Sequence, residues 1–184
     1  MEQQLTKDEL WVLSYYRASE LAGALFFGRL ARRTSDPTMR IFLTEHFSEE
    51  ARHAWLWTDT IVKLGCVPIQ ILETYQSQYA IEAGLPTSMP EILVITKIFE
   101  ERIYSQFTNH AKKSDAHPEV KKTIKKMLDD EDGHLTWIES QLNIYKSQGI
   151  NIDELIAKYR ALDQAIYDVV SRYEGKLWDF LGLK

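Results

Sequence analysis

Phe42-Leu-Thr-Glu-His46-Phe-Ser-Glu-Glu50-Ala-Arg-His53-Ala-Trp-Leu-Trp57 decides the fold of this chain. Phe42, His46, Glu50, His53 and Trp57 recur at steps of three and four, the spacing of one helix face, so an acid and two imidazoles share a stripe with large aromatics. Glu20 lies thirty residues before Glu50, and Glu101 lies thirty before Glu131-Asp-Gly-His134. A shift of 81 positions superposes Glu20 on Glu101, Phe26 on Phe107, Pro37 on Pro118, Glu50 on Glu131 and His53 on His134. One Glu-x-x-His carries little information. Two, each with a second Glu at matched distance and a matched Pro between, mark a duplicated half-site.

Working outward, helix starts and stops divide the chain into long helices. Thr6-Lys-Asp-Glu9 has the form of a capping box and opens a first helix to about Arg33. Asp36-Pro37 opens a second that ends near Gly65, and Ser88-Met-Pro90-Glu91 a third to about Lys113. His117-Pro118-Glu119 opens a fourth, closed by Gly149, and Asn151-Ile-Asp153 a fifth reaching about Leu181. No stretch alternates as a strand would, so the class is all-α. The short links within each pair predict two antiparallel hairpins, and the two dozen residues from Cys66 to Thr87 predict a long crossover between them. The whole of 1–184 reads as one domain, with 6–148 as a four-helix core and 151–181 as an added C-terminal helix.

The apolar stripes place the acids inside. They read Leu13, Tyr16, Glu20, Ala24, Phe27 on the first helix; Val94, Ile98, Glu101, Tyr104, Thr108 on the third; Val120, Met127, Glu131, His134, Ile138 on the fourth. Buried carboxylates cost several kcal/mol or more each unless paired, protonated or bound to cations, and few arginines sit on these stripes. Four acids and two imidazoles match two divalent cations, and an oxygen and nitrogen set without sulfur suits iron or manganese. Glu100 and Glu49 adjoin the chosen glutamates, but the thirty-residue spacing and the stripe phase select Glu101 and Glu50. His46 lies one turn before Glu50 where the repeat sets Met127, so it falls outside the duplicated set and reads as an interior or edge histidine.

These residues resemble the ferritin-like di-iron carboxylate superfamily, and Asp130-Glu131-Asp-Gly-His134-Leu-Thr-Trp137 resembles its fourth-helix motif most closely. The resemblance implies a ferritin-like four-helix bundle over about 6–148. It implies two iron ions, with Mn/Fe or Mn/Mn as alternatives, held by Glu20, Glu50, His53, Glu101, Glu131 and His134. In it Glu50 and Glu131 are bridging, catalytic carboxylates, and Glu49 and Asp130, each four residues before the histidine of its own helix, accept from His53 and His134 respectively. Tyr16 and Tyr104, a turn from Glu20 and Glu101, are candidates to hydrogen-bond a ligand or carry an electron.

Departures from the superfamily's patterns narrow the activity. Cys66 is the only cysteine, which excludes a rubredoxin-like module and a redox cysteine pair within the chain. Gly23 is costly in a helix, by about 1 kcal/mol relative to Ala. It is there for close helix contact or, with Ala24 and Phe27, to keep a substrate pocket open beside one metal. The expectation is an oxidoreductase that activates O2 to oxidise a small, largely apolar molecule with electrons from an external donor. A ferroxidase, iron-handling or peroxide-reducing protein is the alternative, and a metal-free scaffold that uses the fifth helix as an interface is the alternative of another class. The net charge of -5 argues against nucleic-acid partners. The opening Met-Glu-Gln-Gln-Leu-Thr and the lack of an apolar run near 20 residues predict a cytoplasmic protein without a membrane span, with a homodimer among the allowed states.

Overall fold

Thr6, Asp36 and His117 cap their helices as the sequence predicts, whereas Ser88 makes no capping bond. In the computed structural model, which describes residues 4–82, 84, 86–170 and 175–182, the Thr6 hydroxyl accepts from the Glu9 backbone N–H and α1 runs Lys7–Arg33. Asp36 accepts from the N–H groups of Thr38 and Met39 and opens α2, Pro37–Lys63. The Nδ1 of His117 accepts from the Glu119 N–H and opens α5, Pro118–Ser147, which stops before Gly149 in the left-handed region at φ 87°. Helix α4 spans Met89–Lys112.

The chain is all-α, with seven helices and no strand among the described residues. One helix goes beyond the expected five: within the crossover a short α3 forms over Tyr75–Glu82. Of the expected helix over 151–181 the described residues give α6, Ile152–Val170, and α7, Gly175–Leu181, and 171–174 lie outside them.

Side-chain contacts fix the directions of the four long helices. Arg17 bonds Thr58 while Gly28 lies against Phe47, so α1 and α2 are antiparallel. Lys97 meets Glu139 near one end of the second hairpin, and Glu100 faces Glu131, so α4 and α5 are antiparallel. Phe26 meets Phe99 while Tyr16 meets Phe107, which sets α4 antiparallel to α1. Helix α5 runs antiparallel to α2, because Phe42 stacks on Trp137 while Thr60 bonds Thr123. The order is therefore up, down, down, up. Parallel α2 and α4 require the chain to cross from one end to the other, which the segment containing α3 does. Helix α6 covers the outer side of α4, where Asp163 pairs with Arg102.

Two apolar clusters fill the interior, one toward each end. Phe26, Phe27, Phe42, Leu43, Ile95, Phe99 and Ile138 belong to one. Leu13, Tyr16, Trp57, Ile61, Ile103, Phe107, Ile124 and Met127 belong to the other. On every long helix the residues between these sets are the acids and histidines, so a polar layer lies at mid-height between two dry ends.

Candidate metal centre

Helix phase brings Glu20, Glu50, His53 and Glu131 into this layer, each buried, with Glu20 and Glu131 only 1 % exposed. His134 joins them from α5, with its Nδ1 3.3 Å from Glu131 Oε2 and 3.8 Å from Glu100 Oε1. Across the layer His53 Nδ1 lies 3.4 Å from Glu131 Oε1 and 3.8 Å from Glu20 Oε2. Glu20 faces Glu50 and Glu100 faces Glu131, as two acid pairs.

The fourth carboxylate is Glu100, not Glu101. Glu100 is 2 % exposed, whereas the side chain of Glu101 is 33 % exposed, 3.1 Å from Lys97 Nζ and 2.7 Å from Arg160 of α6. The two halves of the chain are not the same length where they turn: residues 34–36 join α1 to α2, and the longer run 113–117 joins α4 to α5. A thirty-residue count taken from the first hairpin therefore lands one residue late on α4, which is about 100° around a helix. The signal that could have found Glu100 is the run Ile92, Thr96, Phe99, Ile103, Phe107, His110, all buried and centred beside it.

Tyr104 follows Glu101 to the outside, at 37 % exposure, and cannot touch the layer. Tyr16 is buried against Trp57 and Phe107, with its hydroxyl unpartnered.

Glu49 and Asp130 do meet imidazoles, but each meets the histidine of the other hairpin. Asp130 lies 3.3 Å from His53 Nε2, and Glu49 lies 3.0 Å from His134 Nε2. The antiparallel pairing of α2 and α5 causes this exchange: a residue just before the acid on one helix lies level with the residues just after it on the other. In both cases Nε2 is occupied on the outer side and Nδ1 points inward, which is how an outer carboxylate fixes an imidazole for ligation. Arg52 bonds Asp130 at 2.9 Å and holds its carboxyl below the usual range against the effect of burial.

The space beside Gly23 is not a pocket. A Cβ built on Gly23 would lie 2.7 Å from Glu50 Oε2, so the carboxylate itself occupies the notch that the missing side chain leaves. Ala24 is buried, and Phe27 packs edge-on to His46 at 4.7 Å. These three residues wall the polar layer, and the expected substrate pocket on α1 gives way to close packing. A cavity of about 210 Å³ does reach the layer, but between α2 and α5, lined by Phe42, Glu45, His46, Glu49, His134 and Trp137.

Burial opposes charge throughout this layer. Burial, then the neighbouring Glu131, pushes Glu20 up to about 8, and burial, then Glu100, pushes Glu131 up to about 8. Burial raises Glu100 to about 7 and raises Glu50 well above its ordinary value. Burial lowers His46 to about 4 and also lowers His53. Burial acts against charge on His134 as well, but its bond to Glu131 and the charges of Glu100, Glu131 and Glu49 prevail and push it up to about 9. No Lys or Arg pairs with Glu20, Glu50, Glu100 or Glu131 among the described residues. Glu20 Oε2, Glu100 Oε2 and His53 Nδ1 are buried without a hydrogen-bond partner. Orphaned polar atoms of this kind are costly unless a proton or a cation satisfies them, and carboxylate and imidazole donors without sulfur are of the kind that bind divalent metals. His46, Glu100 and His134 also offer ligand atoms within 4.8 Å of one another, a cluster able to hold one ion.

No protein-family model, curated protein or solved structure matches the chain. Among the described residues no helix is long and apolar enough to cross a membrane.

Proposed function

We propose that this chain is a ferritin-like four-helix bundle with a di-metal carboxylate centre, iron in the first instance, and that it works as an oxidoreductase on O2. The observation that carries this reading is the polar layer itself: Glu20, Glu50, Glu100 and Glu131 with His53 and His134, gathered at mid-height with orphaned oxygens and, among the described residues, no Lys or Arg paired with the four acids. The up, down, down, up order with a long crossover supports the bundle. Bound there, the metals would supply the electrons that reduce O2.

The chain's own residues divide the work. In this reading Glu50 and Glu131, whose neighbours come from both hairpins, would hold the metals together with Glu20 and His53 on one side and Glu100 and His134 on the other. Glu49 and Asp130 orient the imidazoles from outside. The apolar clusters on either side keep water from the layer, so reactants arrive through the cavity between α2 and α5. At about 210 Å³ it admits only a small molecule, below the size of ordinary organic-ligand sites. Electrons for repeated turnover come from an external donor, since Cys66 is the only cysteine.

A second reading, in which Fe2+ is the substrate, is favoured by the lining of that cavity, where Glu45, Glu49, His46 and His134 offer cation ligands along the way in. One experiment separates the two. Metal-free protein is loaded anaerobically with Fe2+, its bound metal is measured, and O2 uptake is followed as Fe2+ is raised. Two irons per chain and a single burst of O2 uptake support a resident cofactor with another substrate; uptake that continues with added Fe2+ supports iron oxidation. A chain that binds no metal overturns both and leaves a helical scaffold.

A further inference from the structure

His46 is unlike anything at the mirror position of the centre. Antiparallel α2 and α5 relate the two halves, so the residue one turn before Glu50 on α2 corresponds to the residue one turn before Glu131 on α5. The second is Met127, fully buried in an apolar cluster. The first is His46, 3 % exposed, with Nε2 3.4 Å from Glu100 Oε1 and its ring 4.9 Å from that of His134. Its Nδ1 lies 3.8 Å from Glu49 Oε2, the carboxylate that also accepts from His134 Nε2 at 3.0 Å. One outer acid thus faces the far nitrogen of both rings and leaves the near nitrogens, His46 Nε2 and His134 Nδ1, on the Glu100 side. Phe27 and Phe42 clamp the ring at 4.7 and 4.9 Å, fixing it in that orientation.

We propose that His46 is a seventh metal ligand, which closes with Glu100 and His134 on one divalent cation and makes the two metal positions chemically unequal. The position at Glu100 has two imidazoles and borders the cavity between α2 and α5. The position at Glu20 has one imidazole, His53, and lies beside the Glu50 carboxylate that fills the notch at Gly23. Imidazole favours the later, softer members of the first-row series over Mn2+. The Glu100 position should therefore select Fe2+, Co2+ or Zn2+, and the Glu20 position should tolerate Mn2+. This inference rests on the di-metal reading above and deepens it.

The test uses Co2+ on the metal-free full-length chain, by calorimetric titration and by counting the paramagnetically shifted, exchangeable imidazole N–H signals. The wild type is expected to bind two Co2+ with unequal affinities and to show three such signals. His46→Met, which installs the residue of the mirror position, and His46→Gln should each weaken one site at least tenfold, leave the other within about twofold, and show two signals. Circular dichroism of both variants establishes that the helices persist. Two signals in the wild type, or two unchanged affinities in either folded variant, overturn the role of His46 while the di-metal centre stands. A wild type that binds no Co2+, Fe2+ or Mn2+ overturns the centre itself, and the inference with it.

Discussion

A methyl group at position 23 would collide with a carboxylate, not with a helix backbone, and the two kinds of collision have different consequences. The atom 2.7 Å from the built Cβ is the far end of the flexible Glu50 side chain, which can swing aside at small cost. Gly23→Ala should leave the fold intact or stabilise it by up to about 1 kcal/mol, because Ala is the better helix former. The same change should weaken metal binding by roughly ten- to a hundred-fold, the range seen when groups that orient ligands are altered. A thermal melt and a metal titration on one sample check both signs, and a variant that keeps its metal affinity would show that Glu50 is not a ligand. A second comparison belongs to this scale. Glu100→Gln should lower metal stoichiometry or affinity sharply, and Glu101→Gln should not, since Glu101 is committed to Lys97 and Arg160 at the surface.

Among the elements, the ends of the helices are tied together by an acid that serves no cap. Glu9 sits where a capping box would turn it back on Thr6, yet it is 2 % exposed and reaches across to the turn between α4 and α5. Its Oε1 accepts from the His117 backbone N–H at 2.9 Å and lies 3.4 Å from His110 Nε2. Glu9→Ala would strand these groups in the interior, at about 1–3 kcal/mol. The melting temperature should fall by several degrees, with metal affinity unchanged because the contact lies at the end of the bundle. A variant that melts normally would place the His117 turn elsewhere in solution.

For the whole molecule, the polar layer couples stability to protons and metal in opposite directions. Burial holds Glu20 and Glu131 near 8 and Glu100 near 7, while an unfolded glutamate titrates near 4.5. The metal-free fold therefore keeps protons that the unfolded chain releases, and the stability they contribute, complete below about 4.5, is lost as pH rises through 7 to 8. His134, raised to about 9, acts in the same sense. The lowered pKa values of His46 and His53 act in the opposite sense, but only below about 6.5, where unfolded histidine is charged. From pH 6.5 to 8 the metal-free protein should thus lose about 1 kcal/mol per pH unit for each proton held. Metal-loaded protein should show no such loss, because cations replace the protons and bind more tightly as ligands deprotonate. Denaturant unfolding at pH 6.5 and 8, with and without Mn2+, measures both slopes, and equal slopes would mean that the acids are not a metal site.

Helix number and direction in the first hairpin, the caps at Thr6, Asp36 and His117, and five of the six duplicated positions were legible in the sequence. Those features are local, set by periodicity, by side chains bonding backbone within three residues, and by motifs inside one helix. What the sequence could not supply depended on how helices turn toward one another. The choice of Glu100 over Glu101 followed from a longer turn and from α6 capturing Glu101 through Arg160. The exchange of Glu49 and Asp130 between hairpins followed from the antiparallel contact of α2 with α5. Gly23 reads the same from sequence whether it leaves a space or makes room for a neighbour, and only the position of the Glu50 carboxylate decides. His46 broke the repeat, and sequence symmetry set it aside; its approach to Glu100 and His134 exists only because three helices bring those residues within one ion's reach.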